Sequence, residues 1–211
     1  MKTDELILSL AQEPAPAPLN PGRIGAAVVA ATGFCGALFL ALFGIRDGLP
    51  GLWSQPLIVA KTLLPALACL LALPALLALL RPGARAGLAA MPVVLPLSVA
   101  AGLWIFSFAA LEPAQRFVQS TPFAVVECVG LILVIAAPSL WLAIRVLGRG
   151  ATTRPRLSGA LAGLVVGAGA SSCYSFFCLQ DNPLFYVTWY GTAIAITAAA
   201  GAWLGARRLR W

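Results

Sequence analysis

The 211-residue sequence contains no histidine, and only seven of its residues are acidic. The missing histidine excludes Ser-His-Asp and Cys-His catalytic mechanisms and any histidine metal site. The acidic residues are too scattered along the chain to predict a carboxylate metal cluster. The five cysteines include no Cys-x-x-Cys pair, which argues against a zinc ribbon or a thioredoxin-like centre.

Charged side chains are also scarce, at 10% of the chain, whereas hydrophobic residues make up 61% and the mean hydropathy is +0.93. Soluble globular chains are about 45–50% apolar and about 25% charged. One core in a protein of this size could not hide so much apolar surface from water. The net charge of +7 does not indicate direct nucleic-acid binding, because the basic residues are not interleaved with aromatic residues that stack on bases. We therefore predict an all-α membrane protein.

Six apolar segments have the length of about 20 residues that a helix needs to cross the hydrocarbon core of a bilayer. Short polar or Pro- and Gly-rich turns separate them. Prolines inside the segments are tolerated in membrane helices, where neighbouring helices satisfy the freed backbone groups. We predict a six-transmembrane-helix bundle over residues 23–211, with spans at about Ile24–Ile45, Pro56–Leu80, Leu88–Leu111, Thr121–Leu147, Leu157–Phe177 and Pro183–Gly205.

Residues 1–22 differ from the rest of the chain and form a second predicted unit. Acidic residues precede a short run of leucine and isoleucine, which is typical of a short amphipathic helix. The segment Glu13–Pro21 then contains four prolines and predicts a stiff, extended tether. This unit would hold a helix at a distance from the first span, where it could meet a partner.

The basic residues predict the orientation of the bundle. Eleven of them fall on one side of the six spans and two on the other, while Lys61 lies within a span. Basic residues collect on cytoplasmic loops, so the asymmetry places both termini in the cytoplasm. The eleven are Lys2, Arg23, Arg81, Arg85, Arg145, Arg149, Arg154, Arg156, Arg207, Arg208 and Arg210, and the two are Arg46 and Arg116.

Glycines recur every four residues in the last two predicted spans. They are Gly159, Gly163 and Gly167 in the fifth span, and Gly201 and Gly205 in the sixth. This spacing lets helix backbones approach closely in a membrane. We interpret the pattern as packing within the bundle, with a dimer interface as the alternative.

Two ionisable side chains, Lys61 and Glu127, lie inside predicted spans. Each is about 8–9 Å from the extracytoplasmic edge, at 1.5 Å of rise per residue. Charges inside a membrane are costly and usually pair with one another or line a watery cavity. A Lys61–Glu127 pair is one interpretation, and the other is that Lys61 reaches out along its own stem to the aqueous boundary.

The cysteines separate by depth. Cys35 and Cys69 fall near the middle of their spans and are expected to pack as small hydrophobic residues. Cys128, Cys173 and Cys178 fall nearer the extracytoplasmic edge, where thiols can form a disulfide or hold a soft metal ion. Depth by itself matches Cys128 with Cys173 better than with Cys178.

The C-terminal stretch resembles a known family. Cys178-Leu-Gln-Asp-Asn-Pro183 leads into Leu-Phe-Tyr-Val-Thr-Trp-Tyr-Gly, and the chain ends in Gly205-Ala-Arg-Arg-Leu-Arg-Trp211. These segments resemble the last span of the NrsF-type (negative regulator of sigma F) six-span anti-sigma factors. The opening Met1-Lys-Thr-Asp-Glu-Leu-Ile7, the Pro-rich tether and the six spans agree with that family over the full chain.

The resemblance implies a bacterial inner-membrane protein that sequesters an extracytoplasmic-function sigma factor and releases it on metal or oxidative stress. It implies two sensor thiols, which map by position to Cys128 and Cys178, with Cys173 as the alternative. Soft-metal binding there would be transient, with water or Asp181 as a third ligand, and no permanent cofactor is expected. The predicted sigma-factor contact, with apolar anchors in a groove and acids against basic residues, comprises Asp4, Glu5, Leu6, Ile7 and Leu10.

A second hypothesis comes from another functional class. A small secondary transporter or a thiol-dependent membrane enzyme could use Lys61, Glu127 and the cysteines directly. A proton or ion path would need more relay groups than these two charges supply. We therefore favour a regulator with no enzymatic activity.

Overall fold

The computed structural model describes residues 3–12, 20–81, 83 and 87–209. Over these residues the chain is helical and contains no strand. The helices are α1 (Thr3–Gln12), α2 (Pro21–Phe43), α3 (Leu49–Leu52), α4 (Pro56–Ala78), α5 (Gly87–Ala90), α6 (Val94–Ala110), α7 (Pro122–Leu147), α8 (Pro155–Tyr174) and α9 (Pro183–Arg208), with a 3₁₀ turn at Met91–Val93 between α5 and α6.

Six helical segments are long and apolar enough to cross a membrane. They are α2, α4, the continuous run Gly87–Ala110, α7, α8 and α9, and their ends lie within three residues of the predicted spans. The predicted fold class is therefore confirmed. Of the predicted tether Glu13–Pro21, residues 13–19 lie outside the described residues, and Pro21 is already the first residue of α2 with Asn20 as its cap. The division at residue 22 stays a prediction.

Local sequence signals explain where the spans begin. Five of them start with a proline, whose missing N–H costs nothing in the first turn of a helix. Three of these also have a side-chain N-cap: Asn20 accepts from the amide of Arg23, Thr121 from that of Ala124, and Asn182 from that of Leu184. Such caps satisfy amides that the helix itself leaves free.

The helix α8 lies at the centre of the bundle. It contacts α2, α4, α7 and α9, and most of its residues are buried. Its closest neighbour is α9, because a β-carbon added at Gly163 would overlap the carbonyl oxygen of Thr197 and one at Gly159 would overlap that of Gly201. The glycine pattern therefore packs α8 against α9 within one chain, as predicted.

Replacing Gly163 by alanine is expected to destabilise the bundle, because the added methyl group meets backbone atoms of α9 that cannot move aside alone. Overpacking of this kind costs about 1–3 kcal/mol. Each kcal/mol lowers the melting temperature of a chain of this size by about 2–4 °C. The measurement is thermal aggregation of the detergent-solubilised protein.

A matched control is Gly191→Ala in α9, since no heavy atom lies within 4 Å of a β-carbon built there. This variant should melt at the wild-type temperature or slightly above it. Equal melting temperatures for the two variants would contradict the close packing of α8 and α9.

Candidate functional site

Three charged side chains, two from loops and one from a helix, meet at one end of the bundle. At this end, which we call the far end, α2, α6 and α8 finish and α4, α7 and α9 begin. Two loops contribute charged side chains there: Arg46 follows α2, and Asp181 precedes α9. Lys61 joins them from the second turn of α4.

The ammonium group of Lys61 is fully buried, with 0% of the side chain exposed. Its Nζ donates to the carbonyl oxygen of Cys178 at 2.7 Å and to Oδ1 of Asp181 at 3.1 Å. Lys61 therefore reaches outward to the loop that precedes α9, and its side chain is not exposed to solvent there. A buried ammonium is tolerated because two oxygens take the place of its water shell.

The predicted Lys61–Glu127 pair is wrong as a direct contact. Within the described part of the chain, the salt bridges of Lys61 and Arg46 are made to Asp181, and Glu127 takes part in neither. Equal depth was a poor guide because the loop after α8 folds back over the start of α4. The loop thereby brings the carboxylate of Asp181 to Lys61, although hydropathy places Asp181 outside the spans, at the membrane boundary.

Arg46 fastens the same loop from the opposite side. Its two terminal nitrogens make a two-pronged salt bridge with Asp181, at 2.6 Å and 2.9 Å, and one of them also donates to the carbonyl oxygen of Cys178 at 3.0 Å. Its backbone amide donates to the carbonyl oxygen of Phe176 at 2.9 Å. The planar fork of arginine suits this carboxylate geometry, which a lysine could not reproduce.

The charges in this cluster shift the pKa of its members outside the spans. Burial raises the pKa of Asp181, but hydrogen bonds and charge from Arg46 and Lys61 outweigh it and hold the pKa below its usual value. The hydrogen bond to Asp181 correspondingly raises the pKa of Arg46. Because the pKa of Asp181 is lowered, its contribution to stability is present at neutral pH and is lost only as pH falls through the lowered value.

The thiols of Cys128 and Cys178 lie in the core beneath this ion cluster. Both side chains are almost fully buried, at 0% and 1% exposure. The Cys178 thiol donates to Oε1 of Gln180 at 3.4 Å. Tyr174 and Tyr190, whose ring centres lie 5.9 Å apart, belong to the same buried cluster.

The other three cysteines lie on α2, α4 and α8. Cys173 fills the space left by Gly36, since a β-carbon at that glycine would overlap its sulfur atom. The match of Cys128 with Cys178, or with Cys173 as the alternative, stays a prediction. The helix α8 ends at Tyr174, and the following turn carries Cys178 back onto the core, where its amide binds the carbonyl oxygen of Tyr174.

A partly open cavity of about 240 Å³ lies beside Cys178 at the far end. Polar and apolar side chains both line it. The polar ones are Arg46, Asp47, Glu127, Tyr174, Cys178 and Gln180. The described residues contain no group of three or more histidine, cysteine or acidic side chains placed to hold a metal ion. Asp181, expected as a third ligand, has both carboxylate oxygens engaged by cations.

Comparison with known proteins adds what the geometry cannot supply. A family model described as negative regulator of sigma F matches residues 8–211. A probable anti-sigma-F factor NrsF of Azospira oryzae is 33% identical, and the anti-sigma-F factor NrsF of Caulobacter vibrioides is 30% identical. Both alignments cover all of each chain. The chain belongs to the family of negative regulators of sigma F. No solved structure matches it.

Membership of the negative regulators of sigma F makes the protein an anti-sigma factor, with a sigma factor as its partner. In this context α1 is the segment of interest, because its described side chains are exposed. Asp4 is exposed, and Ile7 and Leu8 are 58% and 62% exposed. The predicted contact also includes Glu5, Leu6 and Leu10, whose side chains lie outside the described part of the structure.

Sequence reasoning missed two members of the ion cluster. By sequence, Arg46 is interpreted only as a loop charge and Asp181 only as a third ligand for a metal, although Asp181 stands in the motif that carries the family resemblance. The signal that could have found them is the lysine inside a predicted span, because a cation buried in a membrane needs an anionic partner. Lys61 needs a carboxylate, and Asp181 is three residues from a sensor candidate at the same end of the bundle.

Proposed function

We propose that this anti-sigma factor lies in the bacterial inner membrane, where it holds an extracytoplasmic-function sigma factor at the cytoplasmic face. It releases that partner when metal or oxidative stress acts on Cys128 and Cys178. The observation that carries the proposal is the position of Cys178 at the far end, where its carbonyl oxygen meets the ion cluster and it lines a partly open cavity together with Glu127, the residue before Cys128. In this proposal the other three cysteines serve as packing residues, as Cys173 does against Gly36.

The distribution of charge supports the proposed orientation. The far end carries Arg46 and Arg116, whereas the opposite end collects most of the basic residues, as the positive-inside rule requires of a cytoplasmic face. Arg145 and Arg207 lie over the rings of Trp141 and Trp203 at 4.1 Å and 4.0 Å, a pairing typical of a membrane boundary. Reporter fusions at both termini should read cytoplasmic, and a periplasmic C-terminus would contradict this orientation.

The partner contact is proposed for α1. Its exposed Ile7 and Leu8 are apolar, and an exposed apolar pair beside an acidic residue suits a groove with a basic rim. In this proposal Asp4, Glu5, Leu6, Ile7 and Leu10 contact the sigma factor, and the acids meet basic residues that would otherwise contact DNA or polymerase. The protein itself contacts no nucleic acid.

The route from thiol to partner is proposed to run through the helices that carry the sensor residues. Cys178 lies between α8 and α9, which share the glycine interface, and Cys128 lies on α7, which contacts both. A reaction at either thiol would shift these helices as a group, because tightly packed helices move together and not one side chain at a time. Such coupling requires two discrete arrangements of the bundle.

Capture of the partner tests the proposed function. The solubilised protein, purified from unstressed cells of its own host, is expected to bring down one sigma factor in near-equal amount. Treating the cells with cadmium or peroxide before lysis should reduce that sigma factor several-fold. Capture of a transported substrate or of no sigma factor would favour the transporter or thiol-enzyme hypothesis instead.

A further inference from the structure

The carbonyl oxygen of Cys178 is held by two cations from outside its own loop. Lys61 on α4 approaches at 2.7 Å, and Arg46 from the segment after α2 approaches at 3.0 Å. A carbonyl oxygen has two lone pairs, so both acceptor positions are used. The same two cations also bind Asp181, three residues later in the loop. We call this arrangement of Lys61, Arg46, Cys178 and Asp181 the clamp.

Partial opening of the clamp costs free energy, because its charged groups have little access to water. The Lys61 side chain is fully buried, so this cation cannot replace lost partners with water while the bundle stays closed, and that of Arg46 is only 7% exposed. Hydrogen bonds from charged donors are also about twice as strong as those between neutral groups. Any movement of the Cys178 peptide therefore takes one hydrogen-bond acceptor away from each of the two cations.

The clamp also explains why Cys178 is buried although its loop lies at the end of the bundle. The side chain is 1% exposed, yet its neighbour Leu179 is 66% exposed. The amide of Cys178 binds Tyr174, its carbonyl binds the two cations, and its thiol donates to Gln180. The peptide is thus fixed from both sides, and only the cation contacts come from distant parts of the chain.

We propose that Lys61 and Arg46 are positioning residues that hold Cys178 in the core and set how readily its thiol reacts from the far side of the membrane. Reaction at the thiol displaces the Cys178 peptide, so that Lys61 loses oxygens that accept its hydrogen bonds. The change at Cys178 is thereby transmitted to α4, which carries Lys61. The effect on signalling rests on the proposed sensing function, whereas the control of thiol access does not.

The test measures thiol access in the full-length protein with all five cysteines present. Membrane vesicles are treated with a membrane-impermeant maleimide, and peptide mass spectrometry reports labelling at each cysteine separately. Lys61→Met keeps the length of the side chain and removes its charge, while Arg46 still pairs with Asp181. We expect labelling of Cys178 to rise about tenfold, which corresponds to about 1.4 kcal/mol, while Cys35 and Cys69 stay protected.

Two further variants keep the result specific. Lys61→Arg restores a cation and should keep labelling within about threefold of the wild type. Arg116→Met removes a different cation at the far end, one that donates to Leu111 and lies over Phe108, and should leave Cys178 protected. Equal labelling of Cys178 in Lys61→Met, Arg116→Met and the wild type would overturn the clamp.

Global unfolding gives a different pattern, because it exposes Cys35 and Cys69 as well. If Lys61→Met shows that pattern, the double variant Lys61→Met with Asp181→Asn is compared with the wild type in its place. The double variant removes both charges of the pair. Wild-type labelling of Cys178 in a folded double variant would overturn the clamp, and a selective rise would support it.

Induction of the sigma-dependent regulon separates this inference from the proposed function. With both correct, Lys61→Met responds at a stressor concentration several-fold lower than the wild type does. A selective rise in labelling with an unchanged dose response would support the clamp and contradict its role in sensing. Unchanged labelling overturns the clamp whatever the regulon does.

Discussion

Removal of residues 2–12 is expected to switch on the sigma-dependent regulon in unstressed cells, to the level seen when the whole gene is deleted. The deletion removes α1, whose described side chains are exposed, and leaves the six spans unchanged. Protein–protein interfaces commonly depend on a few anchor side chains, each of which can contribute about 2 kcal/mol or more to the binding free energy. Loss of all of them together should abolish binding. Reporter transcription and membrane fractionation are the measurements.

Two controls separate the sequence of α1 from its length. Replacing residues 2–12 with a Gly/Ser segment of equal length should derepress the regulon as fully as the deletion does. Leu88→Ala removes an apolar side chain that is 86% exposed elsewhere in the chain and should keep repression intact, whereas Ile7→Ala should relieve it in part. Full repression after the deletion would move the contact to the loops at 81–87 or 148–156.

Cys128→Ser and Cys178→Ser are each expected to abolish induction by cadmium and by peroxide while basal repression is retained. Both thiols are buried in the core, and Cys178 lines the partly open cavity at the far end. Loss of either sulfur removes half of a site for a soft ion or for a disulfide. Induction should fall at least tenfold at a stressor concentration that saturates the wild type.

The remaining cysteines supply matched controls in the same bundle. Cys35→Ser, Cys69→Ser and Cys173→Ser should respond as the wild type does, because these three are interpreted as packing residues, as Cys173 is against Gly36. Alanine variants at Cys128 and Cys178 test whether a buried hydroxyl by itself causes the loss. If Cys173→Ser fails to respond and Cys178→Ser responds normally, the assignment of the sensor pair is wrong.

The sequence by itself determined the number, limits and mutual approach of the spans. Hydropathy, proline at the first helical position and the side-chain caps all act within a few residues of one another, so they are legible along the chain. The glycine spacing was equally legible, because helix geometry places residues four apart on one face. These predictions needed no knowledge of which helices are neighbours, apart from the pairing of α8 with α9.

Tertiary structure alone decided the partners of Lys61 and the burial of Cys178. Counting residues at 1.5 Å each gives the depth of a side chain in the membrane but neither its direction nor its neighbours. Depth matched Lys61 with Glu127, whereas the structure pairs Lys61 with Asp181. The decisive element is the loop after Tyr174, which folds back over the bundle and brings Cys178 and Asp181 onto α4. A loop's path depends on contacts with distant segments, and those contacts exist only once the helices have packed.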